Sequence, residues 1–135
     1  MFDHIGIVVS NLEVGRAFYQ ATLEPLGIQL LENNTRGENE GWFVFGTPGR
    51  FPFFVVGAGR PSFWREGHAP SKSPIHLAFW APSVASVDSF YKGGLAHGGV
   101  DNGPPGPRRS STPNYSAFLL DPDGNNVEAD YRGAP

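Results

Sequence analysis

The 135-residue chain repeats itself. His4-Ile-Gly-Ile-Val-Val sets beside His76-Leu-Ala-Phe-Trp-Ala at an offset of 72 positions, and the register runs on without a gap for roughly two dozen residues. Phe18-Tyr19 falls on Phe90-Tyr91, Leu23 on Leu95 and Gly27 on Gly99. These shared positions are the bulky, glycine and histidine ones, which shape a fold. Two copies of one unit must bury their apolar faces together, so the repeat predicts two half-domains sharing a core.

Each copy reads the same way. Residues 2–9 and 75–81 are apolar, β-prone runs of strand length. Alternation puts His4, Gly6 and Val8 on one face of the first, and His76, Ala78 and Trp80 on the matching face of the second. A helix follows each strand. Ser10 and Glu13 have capping-box spacing, and Pro82-Ser83 opens the second helix. The expected buried stripes are Leu12, Gly15, Tyr19 and Leu23 in the first helix, and Val84, Val87, Tyr91 and Leu95 in the second, ending at Gly27 and at Gly98-Gly99.

Short strands follow, near 28–32, 42–46 and 51–56 in the first half, and near 115–120 and 126–131 in the second, with an ill-defined strand near 100. Asp121-Pro122-Asp123-Gly124 is a turn that makes the last two a hairpin. The predicted class is α+β, two βαβββ modules in tandem forming a cupped mixed sheet with helices outside: a first module over 1–58, a linker over 59–74 and a second module over 75–135. The segment 102–114, rich in Gly, Pro, Arg and Ser, reads as a long loop over a pocket.

Composition removes several functions. With no cysteine, there is no disulfide, thiolate nucleophile or Cys-ligated zinc. A net charge of −3 supplies no basic field for nucleic acid or anionic membrane. The N-terminus has no signal-peptide pattern and no apolar run reaches membrane-spanning length, so the expected location is the cytoplasm. No Gly-rich phosphate loop, Ser nucleophile elbow or pair of catalytic carboxylates is present.

His4 and His76 occupy equivalent points of the repeat, and packing about a pseudo-twofold axis would aim both rings at one point. Glu128 lies between the apolar Val127 and Ala129 on the last strand and faces opposite to them. A lone strand histidine is ordinarily a packed or solvated residue, and a lone glutamate ordinarily solvated. Two histidines at repeat-equivalent positions plus this acid instead propose a three-ligand site. Two imidazoles and a carboxylate suit one divalent ion (Zn, Fe, Mn or Ni) and leave coordination positions open for water or substrate.

These features resemble the vicinal oxygen chelate superfamily, which groups glyoxalase I, bleomycin-resistance proteins and extradiol dioxygenases. The likeness is carried by His4-Ile-Gly-Ile-Val-Val-Ser-Asn-Leu-Glu with Phe18-Tyr19 and Leu26-Gly27, by His76-Leu-Ala-Phe, and by Asp121-Pro-Asp-Gly-Asn-Asn-Val-Glu128. The resemblance implies metal positions on the first and last strand of each module. His4, His76 and Glu128 match the first, third and fourth. The second departs from the pattern, because the repeat offset lands on Val56 and no acid lies within a residue or two. In glyoxalases that acid is a ligand implicated in moving the substrate proton, so glyoxalase I activity proper is not what this chain's residues imply. A His-His-Glu triad looks more like the extradiol dioxygenase arrangement.

The implied function is a metal-dependent enzyme, lyase/isomerase or dioxygenase, chelating neighbouring oxygens of a small substrate. The alternative is a metal-free protein that sequesters a small aromatic molecule, as bleomycin-resistance proteins do. The resemblance also implies a homodimer, with each site built within one chain or across two. Candidate pocket residues are Trp80, which shares a face with His76, Tyr115, Arg109 beside Arg108, and Trp64 with His68 in the linker. His97, near a helix end, reads as a surface residue.

Overall fold

The computed structural model describes residues 1–59, 75–108 and 113–133. The first half runs β1 (His4–Val8), α1 (Leu12–Leu23), a 3-10 turn (Glu24–Leu26), β2 (Gln29–Gly37), β3 (Glu40–Thr47) and β4 (Arg50–Ala58). The second runs β5 (His76–Trp80), α2 (Val84–Ala96), β6 (Val100–Arg108), β7 (Asn114–Leu120) and β8 (Asn126–Tyr131). Each half is one four-stranded sheet, β1-β4-β3-β2 and β5-β8-β7-β6, with a parallel first pair and antiparallel neighbours after it. The two βαβββ modules expected from the repeat are there, and the class is α+β. None of the helices among the described residues is long and apolar enough to cross a membrane.

One core serves both modules. It joins Ile7, Phe43, Phe45, Phe54 and Val56 of the first sheet to Ala117, Leu119, Val127 and Ala129 of the second, with Phe18, Tyr19, Val87 and Phe90 of the helices between. Phe54 and Phe79 cross the module boundary edge to face, their centroids 5.4 Å apart. Burying these aromatic and aliphatic side chains at about 25 cal/mol per Å² is the main stabilising contribution.

The helices meet through glycines, which changes the buried stripe of α2. The residues buried there are Val87, Phe90 and Gly94, whereas Val84 and Leu95 are exposed. A Cβ on Gly93 would lie 2.6 Å from the Ala21 carbonyl oxygen, and one on Gly94 would lie 2.2 Å from Leu119 Cδ1. The face that approaches α1 is therefore the one with no side chain to keep it away. Apolar spacing placed Val87 and Tyr91 on the core side correctly but took in Val84 and Leu95 in place of the glycine face for that reason.

Two other expectations are corrected. The cap of α1 is Asn11, whose side chain accepts from the Val14 amide at 3.0 Å, while the Ser10 amide donates to Asp123 Oδ2 across the modules. The predicted loop from 102 is, through Arg108, strand β6. Its prolines are tolerated because β6 is an edge strand, and shifts of register between Asp101 and Gly106 absorb them. The end of α2 and the cap at Ser83 agree with the sequence.

The strongest polar tie between modules is buried. The Tyr19 hydroxyl on α1 donates to Asp121 Oδ2 at 2.6 Å, and Asp121 also accepts from the Asp123 and Asn125 amides and from Asn125 Nδ2. Burial first, and then the Asp121 carboxylate, push the Tyr19 phenol well above its ordinary value. A raised folded-state value means the contribution is whole below the unfolded phenol's value near 10, and is lost as pH rises beyond it. Tyr19→Phe should cost about 1–2 kcal/mol at neutral pH. In denaturant titrations the gap to wild type should narrow only above about pH 10. Gly93→Ala, facing backbone that cannot rotate away, should cost about 1–3 kcal/mol in the same assay.

Candidate metal and ligand site

Because both sheets turn one face to the shared core, their other faces point away from it. In the first sheet the outward face carries His4, Phe53, Val55, Trp42, Val44 and Glu32, which together line a shallow pocket. In the second it carries His76, Ala78, Glu128, Phe118 and Ser116, as the pairings of Ala78 and Phe118 with Glu128 require.

His76 and Glu128 are brought together. They stand on adjacent parallel strands with Ala78 opposite Glu128, so the two side chains are diagonal neighbours over a residue no larger than a methyl group. His76 Nε2 donates to Glu128 Oε2 at 3.0 Å. The Glu128 side chain is 12% exposed and the imidazole 47%, so the pair has a fixed, buried carboxylate and an accessible ring. Behind the ring lies Phe118, stacked at 6.2 Å with an interplanar angle of 25°.

His4 is elsewhere. Its Nδ1 donates to Asp3 Oδ1 at 2.7 Å, and its side chain is 60% exposed. Among the described residues of one chain, no group of three or more His, Cys, Asp or Glu side chains could hold a metal ion. A single chain thus presents an imidazole nitrogen and a carboxylate oxygen at one point, donors suited to a divalent first-row ion, and a second imidazole on the other module.

The parallel pairings also locate the missing acid. Gly6 pairs with Val55 as Ala78 pairs with Glu128, so the counterpart of Glu128 is Val55, one residue from the position that the offset indicated. The acid on that face is Glu32. It stands in the same row, through Val44, and its carboxylate accepts from Asn34 Nδ2 at 3.1 Å. Sequence reasoning passed over Glu32 because it lies outside the repeat.

The remaining candidates separate. Trp80 is 58% exposed and lines, with His76, a cavity of about 560 Å³ whose walls include Phe45, Phe54 and Phe79. Tyr115 turns to the helix side, where its hydroxyl donates to Asp88 at 2.9 Å. That hydrogen bond is the main cause that raises its phenol above the ordinary value. His97 Nδ1 donates to the Gly93 carbonyl at the end of α2. Trp64, His68 and Arg109 lie outside the described residues.

The model of the Glyoxalase/Bleomycin resistance protein/Dioxygenase superfamily matches residues 1–129. A glyoxalase/bleomycin resistance protein from Albidiferax ferrireducens T118 is 32% identical, with a TM-score of 0.79 over 98% of this chain and 99% of that one. A glyoxalase-related enzyme from Fulvimarina pelagi shares the fold at 17% identity and a TM-score of 0.68, over 97% of this chain and 87% of its own. A lactoylglutathione lyase from Agrobacterium tumefaciens does so at 18% and 0.62, over 97% and 92%. No curated protein matches the sequence. The chain belongs to the Glyoxalase/Bleomycin resistance protein/Dioxygenase superfamily.

Proposed function

From that membership, we propose that the protein is a metal-dependent enzyme acting on a small molecule with neighbouring oxygens, its ion held by His76 and Glu128 of one copy and His4 of a second. The observation that carries this reading is the His76–Glu128 contact at 3.0 Å on an outward sheet face. A buried carboxylate needs a partner, and an imidazole alone supplies one. An accessible imidazole beside it, with small Ala78 opening the space, also makes half of a ligand set.

Geometry supports the second copy. Both donor-bearing faces turn away from the core of their own chain, and among the described residues β1 and β5 are edge strands with one unpaired side each. A homodimer that sets the first module of one copy against the second module of the other would cover both edges and bring His4 to His76 and Glu128. Asp3 on His4 Nδ1 supports the role, because an outer carboxylate that holds one ring nitrogen leaves Nε2 oriented for a metal.

When bound, the ion would polarise substrate oxygens as a Lewis acid, in the manner of a lyase/isomerase or of a dioxygenase. The chain's own contributions are the apolar cavity walls, which exclude water from an aromatic substrate body, and Val55, which leaves the position opposite without a charge. The second reading, metal-free sequestration of a small aromatic ligand, is favoured by that same cavity of about 560 Å³.

Metal titration of purified protein separates the two. Zn(II) or Mn(II) should bind at one ion per chain. His4→Ala, His76→Ala and Glu128→Gln should each weaken it by more than the roughly 10–100-fold that loss of an outer partner costs, and His97→Ala should not. Stoichiometric ligand binding with no metal affinity would establish the binder instead.

A further inference from the structure

Beside the His76–Glu128 pair, on the same face, lies an arginine with almost no protein partner among the described residues. Arg108 closes β6, and its guanidinium carbon sits 5.3 Å from the centroid of the Phe118 ring, the ring that stacks on His76. Arg108, Phe118 and His76 form a column leading to Glu128. The guanidinium is laid over bare backbone. A Cβ at Gly103 would lie 3.4 Å from Arg108 Nη2 and 3.0 Å from Phe118 Cδ2, and one at Gly106 would lie 3.8 Å from Nη1.

Its donors are largely unused. Nη2 donates to the Pro104 carbonyl at 2.6 Å, and Nε is buried with no partner. No carboxylate pairs with Arg108 among the described residues. Ser116, on the same face of β7 and opposite Gly106, is fully buried with an unpartnered hydroxyl. Buried donors and charges left unsatisfied cost free energy. A half-buried, ring-stacked cation with no anion beside it among the described residues is what a charged ligand would complete.

We propose that Arg108 is the specificity-determining residue of this site, and that the substrate it selects is a small carboxylate. Its planar fork matches a carboxylate edge, and Phe118 beneath it fixes the plane of that fork. The inference rests on the reading of His76 and Glu128 as the reacting centre. The oxygens to be transformed would lie at His76 and the carboxylate tail at Arg108, with Phe118 between them. Gly103 and Gly106 keep the guanidinium low on the sheet, so that a ligand reaches both.

Calorimetric titration with mandelate, a small aromatic carboxylate, and with its neutral amide tests this on the full chain kept metal-free, where no ion competes with Arg108 for the carboxylate. Wild type should bind mandelate at least about tenfold more tightly than mandelamide. Arg108→Gln should abolish that preference while leaving zinc affinity unchanged. Arg108→Lys should keep the charge but recover only part of the preference, because it lacks the fork. Equal binding of the two ligands by wild type, no binding of either, or an undiminished preference in Arg108→Gln overturns the proposal. Failure of the metal reading shows separately, as zinc affinity that survives His76→Ala, whatever the outcome with mandelate.

Discussion

The contact between α1 and α2 decides what this chain can and cannot do alone. Gly93 and Gly94 let the two helices approach until backbone meets backbone, with Ala21, Thr22 and Phe18 on the other side. Both sheets then lay their apolar faces on a common interior, and Tyr19–Asp121 locks the arrangement from within. The consequence is geometric. The faces bearing His4 and His76–Glu128 are left outside, each curved sheet offering half of a cup. On the proposed reading, the site that needs both halves is completed from a second copy.

Much of the fold was legible because a duplicated sequence states each element twice. The strands at His4 and His76, the Ser83 cap and the Asp121–Gly124 turn follow from local chemistry: alternation, hydroxyl capping, and a glycine that takes φ +89 at position 124. The failures share a cause, since each depended on a neighbour distant in sequence. Leu95 looks like a core residue until a glycine pair proves to be the contact with α1. Three prolines look like a loop until β7 is there to pair with the rest of β6. Ser10 has the right spacing to cap α1, but its amide is committed to Asp123, and Asn11 takes the role.

The candidate site divides the same way. His76 and Glu128 meet because two parallel strands of one module hold them in register, and the repeat together with the Asp-Pro-Asp-Gly turn sufficed to name both. The direction in which Tyr115 points, toward Asp88 on α2, depends on strand phase that single-residue reading left open. Glu32 was not singled out because it has no counterpart in the repeat, and Arg108 was named only beside Arg109, in a segment that read as a loop. Their positions, one on each outward face, emerge only once the sheets are drawn.

The most direct measurement is metal binding by a mixture of two inactive variants. His4→Ala and His76→Ala chains, each unable to hold an ion, are unfolded together, refolded and titrated with zinc. If His4 of one copy joins His76 and Glu128 of another, half of the random dimers are mixed and each has one intact site, so about a quarter of wild-type capacity should return. If all three donors belong to one chain, every site in the mixture lacks a ligand, and capacity would stay at zero.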